Sequence, residues 1–275
     1  MKIISIPNNV SNLTFKHTEM AFASCSSCSG QDVIYGVNGG SNWKFQNSYM
    51  HHPSRVIFYT INVSDILVEN SQLERSGVNS SSTQHSEVWS SRTTNNVIFR
   101  NNIVQDFVST GGIMIGDSSN WDIYGNVFRW ASDLGSAASN GVIGTWSDYY
   151  AKNINIFNNS FFNLTGGGSG RIFPMYSSIT NVKAYNNIWY NSPTTIFGAN
   201  VVHDYNLLIN SNESKISESH KQVGSVTTFS SISNFTLAGQ TDPGISLSSP
   251  YNQDMNGKTR GADGNWDRGA LEYSK

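Results

Sequence analysis

Apolar residues recur at every second position in short bursts along this chain, and each burst is bracketed by Asn, Ser or Gly. In "NNVIFRNNIV" (95–104), Val97 and Phe99 alternate with Ile98 and Arg100 between two Asn pairs. Alternation at period two marks a strand that buries one face. The pattern returns in "SNLTFKHTEMAF" (11–22), "SNWKFQNSYMHH" (41–52), "SDILVENSQLER" (64–75), "SNWDIYGNVFRW" (119–130), "KNINIFNNSFFN" (152–163) and "TNVKAYNNIWYN" (180–191). A weaker copy is "NVVHDYNLLIN" (200–210). The copies are unequally spaced, which suits a solenoid whose turns carry insertions.

Set in columns, the copies predict what faces inward. Leu13, Trp43, Ile66, Val97, Trp121, Ile154, Val182 and Val201 fill one apolar column. Phe15, Phe45, Val68, Phe99, Ile123, Ile156 and Ala184 fill another, two residues on. The column between them (Thr14, Lys44, Leu67, Ile98, Asp122, Asn155, Lys183, Val202) is mixed and is expected to face out. Met20, Met50, Leu73, Val104, Phe128, Phe161, Trp189 and Leu208 form a third buried column. Between copies lies another short β segment: "DVIYG" (32–36), "RVIFY" (55–59), "EVWSS" (87–91), "GIMIG" (112–116), "GVIGT" (141–145), "RIFPM" (171–175) and "TIFG" (195–198). Three strands and three turns per coil are predicted, over about eight or more coils, with no helix of any length.

The Asn pairs have a structural explanation. Asn102, Asn126, Asn159, Asn187 and Asn206 share one column, which Ser71, Ser48 and Thr18 continue. Stacked strands lie about 4.8 Å apart. Amides at that spacing can hydrogen-bond to one another and to turn backbone, coil above coil. Asn also tolerates the left-handed conformation of a sharp bend. The column is expected to be a ladder and not a catalytic set.

This pattern resembles the right-handed parallel β-helix of the pectate-lyase-like superfamily, and the Asn column matches that family's tight turn between its second and third sheets. The tail, "SPYNQDMNGKTRGADGNWDRGALEY" (249–273), resembles a closing motif of bacterial secreted β-helix proteins, with Asp254, Gly257, Arg260, Asp267, Gly269, Ala270 and Glu272 in the matching places. The resemblance implies an all-β, right-handed parallel β-helix over residues 1–210 and a closing segment, 211–275, packed on it within one domain. It implies little about chemistry, because a fold does not fix a function.

Composition narrows the partners. Charged residues are 13% of the chain, against roughly 25% in an average globular protein. The net charge of −2 offers no basic surface for nucleic acid. No apolar run approaches a membrane span. Low charge with many Asn and Ser favours a secreted, cell-surface or periplasmic protein, although the N-terminal "MKIISIPNNVSNLTF" does not read as a signal peptide. Cys25 and Cys28 are expected to form a local disulfide or remain thiols, since no second ligand pair accompanies them.

The resemblance places a substrate cleft on the first sheet and on the long third turns: "HHPS" (51–54), "ERSGVNSSSTQHSE" (74–87), "QDFVSTGG" (105–112), "RWASDLGSAASN" (129–140) and "NLTGGGSGR" (163–171). Scarce ionisable groups gather there. In "HSEVWSSR" (85–92), alternation places His85, Glu87 and Trp89 on one outer face, with Val88 and Ser90 inward; a competing register turns Glu87 inward. A carboxylate beside an imidazole suits proton transfer. Arg171 and Arg75 are candidates to neutralise a uronate carboxylate, with bound Ca²⁺ as the alternative. Trp89, Trp130, His52, Asp133, Trp146 and Tyr176 are the candidate substrate-binding residues.

The expected function is binding and cleavage of an extended polysaccharide, with a uronate-containing chain among the candidates, by a lyase before a hydrolase. A non-catalytic glycan-binding, adhesin or spike-like module is the alternative. Two further features read as structural: a surface ion pair of Glu69 with Arg100 on the neighbouring coil, and His203 and His220 near the end of the coils.

Overall fold

The computed structural model describes residues 2–21, 32–77, 85–131, 140–174, 178–231 and 233–274. The chain winds as a right-handed parallel β-helix, and each strand pairs with its counterpart one coil away. The first sheet holds Lys2–Ile6, Asp32–Val37, Phe58–Ile61, Glu87–Arg92, Gly111–Gly116, Ile143–Gly144, Arg171–Ile172 and Ile196–Phe197. The second sheet is also eight-stranded, from Leu13–Lys16 to Val201–Asp204. The third has nine strands, from Glu19–Ala21 to Gln222–Val223. Among the described residues no helix is long and apolar enough to cross a membrane.

The register follows the apolar columns. Leu13 pairs with Trp43, Trp43 with Ile66, Val97 with Trp121, and Ile154 with Val182. Side chains of one column therefore stack along the axis. In the third sheet Phe161 stacks on Phe128 at 5.2 Å and on Trp189 at 4.6 Å between ring centroids. All three are fully buried. Removing such a ring would cost about 3–5 kcal/mol.

The sharp corners rest on residues at positive φ. Between the second and third sheets Asn101, Asn158 and Asn186 have φ of 55°, 54° and 58°. Gly125 takes the same column at φ 65°, and a Cβ there would lie 2.5 Å from the Asn101 Oδ1. The sequence reading assigned left-handed tolerance to the Asn102 column. The structure divides the labour within each pair: the first residue turns the chain and the second forms the ladder.

That ladder is continuous. Each Nδ2 donates to the Oδ1 one coil on: Asn102 to Asn126 at 3.1 Å, Asn126 to Asn159 at 3.0 Å, Asn159 to Asn187 at 3.1 Å, and Asn187 to Asn206 at 3.1 Å. The same Nδ2 groups also donate to the backbone carbonyls of Val68, Phe99, Ile123 and Ile156. Ser71 and Ser48 extend the column through their hydroxyls. At the other end the Glu218 carboxylate replaces the next amide, accepting from the Asn206 backbone N–H and Nδ2 at 3.0 and 2.7 Å. His203 also contacts Glu218, at 2.8 Å, and His220 contacts Asp204 at 2.8 Å.

Residues after Val223 run back over the outside of the coils. Phe229, Phe235, Leu237 and Ala270 pack on the outer side chains of the third sheet, including Phe162 and Ile188. Tyr251 donates its hydroxyl to Asp122 at 2.7 Å, and the Trp266 indole donates to Asn158 at 3.1 Å. Within the tail the buried Arg260 guanidinium bonds the Gly269 and Ala270 carbonyls and faces Glu272 at 3.4 Å. The Glu69–Arg100 pair, expected on the surface, is half-enclosed. Arg100 Nε donates to Glu69 at 2.7 Å, Gln46 holds the other Glu69 oxygen, and Arg100 also donates to the Tyr124 hydroxyl.

Candidate active site on the first sheet

Strand pairing decides which side chains reach the outer face of the first sheet. Trp89 pairs with Phe58 and Ile113, so all three point into the core. The neighbouring positions Tyr59, Ser90 and Arg92 then face outward. They line an open cavity of about 320 Å³ together with Arg55, His85, Glu87, Trp146 and Tyr149. Trp146 approaches closely because residue 116 is glycine: a Cβ there would lie 3.0 Å from the indole ring.

Glu87 begins its strand opposite Gly111 and shares the inward parity of Trp89. It is 1% exposed. One carboxyl oxygen, Oε1, has no hydrogen-bond partner. Burial raises its pKa most, and Asp32 adds to this; Thr110 and Arg55 pull it back, leaving it pushed up to about 7. The Thr110 hydroxyl meets His85 Nδ1 at 2.9 Å. His85 itself is exposed at the rim. His85, held by that hydroxyl, and Glu87 thus line the same cavity.

Two guanidinium groups flank this set and differ in availability. Arg55 makes a bidentate pair with the fully buried Asp32, at 2.7 and 2.6 Å, and lies over the Tyr59 ring at 4.6 Å. Burial opposes its charge, but Asp32 more than offsets this and holds its pKa above the ordinary value. Arg92 is exposed, lies over the Tyr149 ring at 4.7 Å, and faces Asp117 only at 3.9 Å. Tyr149 packs edge-on to Trp146 at 5.6 Å. The cavity therefore offers one committed cation, one available cation and an aromatic wall.

The structure brings His85, Glu87 and Trp146 together but separates other candidates. Trp89 is not a stacking platform: it is fully buried among Phe58 and Trp121, and its indole donates to Thr60 at 2.8 Å. Trp130 is 3% exposed and packs against Phe107, so its ring is covered as well. Arg171 lies three strands along the sheet from Glu87, about 14 Å at the usual strand spacing. Arg171 does not line the cavity. Arg75 and His52 occupy third-corner positions at φ 56° and 55°, and neither lines the cavity. His52 Nδ1 instead faces His51 Nδ1 at 2.6 Å. Asp133, Tyr176, Cys25 and Cys28 lie outside the described residues.

Arg55, Arg92 and Thr110 escaped the sequence reading. A signal for the first was present: in a chain poor in charge, Asp32, Arg55 and Glu87 open three consecutive first-sheet segments. Thr110 carried none, because its role depends on contact across coils. Among the described residues no group of three or more His, Cys, Asp or Glu is placed to hold a metal ion. The described residues offer guanidinium groups for neutralising a carboxylate. No protein-family model matches the chain, and no curated protein matches it.

Proposed function

We propose that this protein is a secreted or cell-surface polysaccharide lyase of the pectate-lyase-like type, acting on a uronate-containing chain laid across the first sheet. The observation that carries the reading is the shared cavity of His85, Glu87 and Arg92 beside Trp146 and Tyr149. Arg92 binds the uronate carboxylate and stabilises the charge that develops on it. His85 removes the proton from the carbon bearing that carboxylate. The electron pair forms a carbon–carbon double bond, the adjacent glycosidic C–O bond breaks, and the departing oxygen takes a proton. Trp146 and Tyr149 provide faces for neighbouring sugar rings.

Hydrolysis is less well supported. It needs two usable carboxyl groups about 5–9 Å apart. Asp32 is committed to Arg55, and Asp106 accepts the Ala131 N–H at 2.8 Å. A binding-only glycan module is the second reading, favoured by the enclosure of Glu87. The test incubates the protein with polyuronates and neutral glycans, following ultraviolet absorbance for unsaturated ends and a separate assay for reducing ends. Lyase action gives both signals on a polyuronate, and His85→Ala abolishes them. Reducing ends without absorbance would mean hydrolysis. Binding with neither signal would leave the module.

A further inference from the structure

We propose that His51 and His52 form a two-imidazole site for a divalent transition-metal ion of tetragonal preference, Cu²⁺ before Ni²⁺, outside the first-sheet cavity. The site is independent of the lyase reading, because neither histidine lines that cavity. The pair stands at the end of the strand Tyr49–His51, where the third sheet turns back towards the first. His52 holds the corner at φ 55°. At the same corner on later coils stand Asn163, Asn191 and Asn210, which bond amide to amide. At His52 a contact within the pair takes the place of that row: His51 Nδ1 and His52 Nδ1 face each other at 2.6 Å.

The surroundings fix where the lone pairs point. His51 Nε2 meets the Glu19 carboxylate at 3.2 Å, so Nε2 carries the proton of a neutral ring and Nδ1 is left with its lone pair. His52 Nδ1 is then the donor in the free pair. Water can carry that proton from His52 Nδ1 to Nε2. Both Nδ1 lone pairs then converge on one point, each ring stays neutral, and no proton is lost. Glu19 stands behind His51 as the carboxylate to which a metal-bound imidazole commonly donates. The Tyr49 ring stacks on His51 at 4.0 Å between centroids and restrains its tilt. Glu74, the strand neighbour of His51, is engaged by the Tyr49 hydroxyl and by Gln72 at 2.8 Å, so it adds negative charge beside the pair without occupying it. Arg75, at the same corner one coil on, is the opposing charge.

The spacing of the two nitrogens favours one coordination geometry. Imidazole nitrogens bind a divalent ion at about 2.0–2.1 Å, so two of them lie about 2.9 Å apart at a right angle and about 3.4 Å apart at a tetrahedral angle. From 2.6 Å the right angle needs the smaller opening, which favours the tetragonal Cu²⁺ or Ni²⁺ over tetrahedral Zn²⁺. Of these, Cu²⁺ binds imidazole most tightly. Among the described residues no third His, Cys, Asp or Glu joins the pair, so water fills the remaining positions.

The test titrates the full chain with Cu²⁺ against a glycine competitor, with calorimetry for affinity and pulsed electron paramagnetic resonance for the number of bound imidazoles. The expected result is one ion held by two imidazoles. Glu19→Gln weakens binding about 10-fold and keeps both imidazoles, whereas His51→Gln and His52→Gln, which remove a ligand outright, each weaken it at least about 100-fold. Amide NMR of the unaltered chain covers the case in which a histidine variant fails to fold: Cu²⁺ broadens residues 19–21, 49–53 and 72–75 first. Affinity unchanged in both histidine variants, a signature of fewer than two imidazoles, or first broadening elsewhere would overturn the proposal. No substrate enters the experiment, so a silent polyuronate assay sinks the lyase reading without touching this result.

Discussion

At the second corner the ladder amides are engaged coil to coil, and among the described residues of that turn only the Asn101 Oδ1 is buried without a partner: Asn126, for example, donates from its backbone N–H and its Nδ2 to Asn159 and from Nδ2 to the Phe99 carbonyl. Across the core, on the first sheet and third turns, the opposite holds. Glu87 Oε1, Ser86 Oγ, Thr145 Oγ1, Ser76 Oγ and Arg171 Nε are buried without a hydrogen-bond partner. A buried polar atom left unpaired costs about 1–3 kcal/mol. The two regions are built from the same coils, so the difference is not one of fold quality. The ladder corner converts polar burial into order, while the first-sheet side keeps polar atoms underused, as sites of recognition and chemistry commonly do.

The largest expected effect comes from breaking the ladder. Asn159→Leu deprives the Asn126 N–H of its acceptor and the Ile123 carbonyl of its donor, and it must fit a bulkier apolar side chain in a fully buried position. The predicted loss is at least about 3 kcal/mol, read by denaturant unfolding. A loss below about 1 kcal/mol would show that the ladder ornaments a corner already held by strand pairing.

Changing the first sheet is expected to act on pH dependence. The Glu87 pKa is about 7 in the folded chain, above its ordinary value of 4.5. Between those values the folded chain holds more protons than the unfolded one, so stability falls as pH rises from about 4.5 to 7. The contribution is full below that window and lost above it. Its size is roughly 3 kcal/mol. Glu87→Gln should flatten this slope in unfolding measurements made at pH 4.5 and pH 8. An unaltered slope would mean that Glu87 is solvated and that the contrast with the ladder is false.

The two regions were also unequally legible from sequence. Ladder and core columns repeat once per coil, so each copy supports the register of the next, and Asn102 through Asn206 could be aligned by inspection. The site does not repeat. Trp89 looked outward because alternation was counted from His85, whereas its direction is set by pairing with Phe58 and Ile113 on other coils. Arg92 sits on the same strand as Glu87, yet it joins the site only through Tyr149, contributed from the turn after Ile143–Gly144. Periodic packing is local information seen many times; a cleft is assembled once, from residues distant in the chain.

The smallest effect should come from a second row of amides on the surface, where the same chemistry meets water. Asn120 Nδ2 donates to Asn96 at 2.9 Å and its Oδ1 accepts from Asn153 at 2.9 Å, both at exposed positions. Its backbone has φ 62°, which glycine adopts freely and alanine does not. Water replaces the lost bonds, so Asn120→Gly should cost under about 1 kcal/mol. Asn120→Ala should cost about 1 kcal/mol more than the glycine variant, from the left-handed backbone alone. At Asn159, which is not at positive φ, that order should reverse, with glycine at least as damaging as alanine because its backbone is looser. Equal costs for Gly and Ala at both positions would mean that side-chain bonding, and not backbone conformation, governs the surface row too.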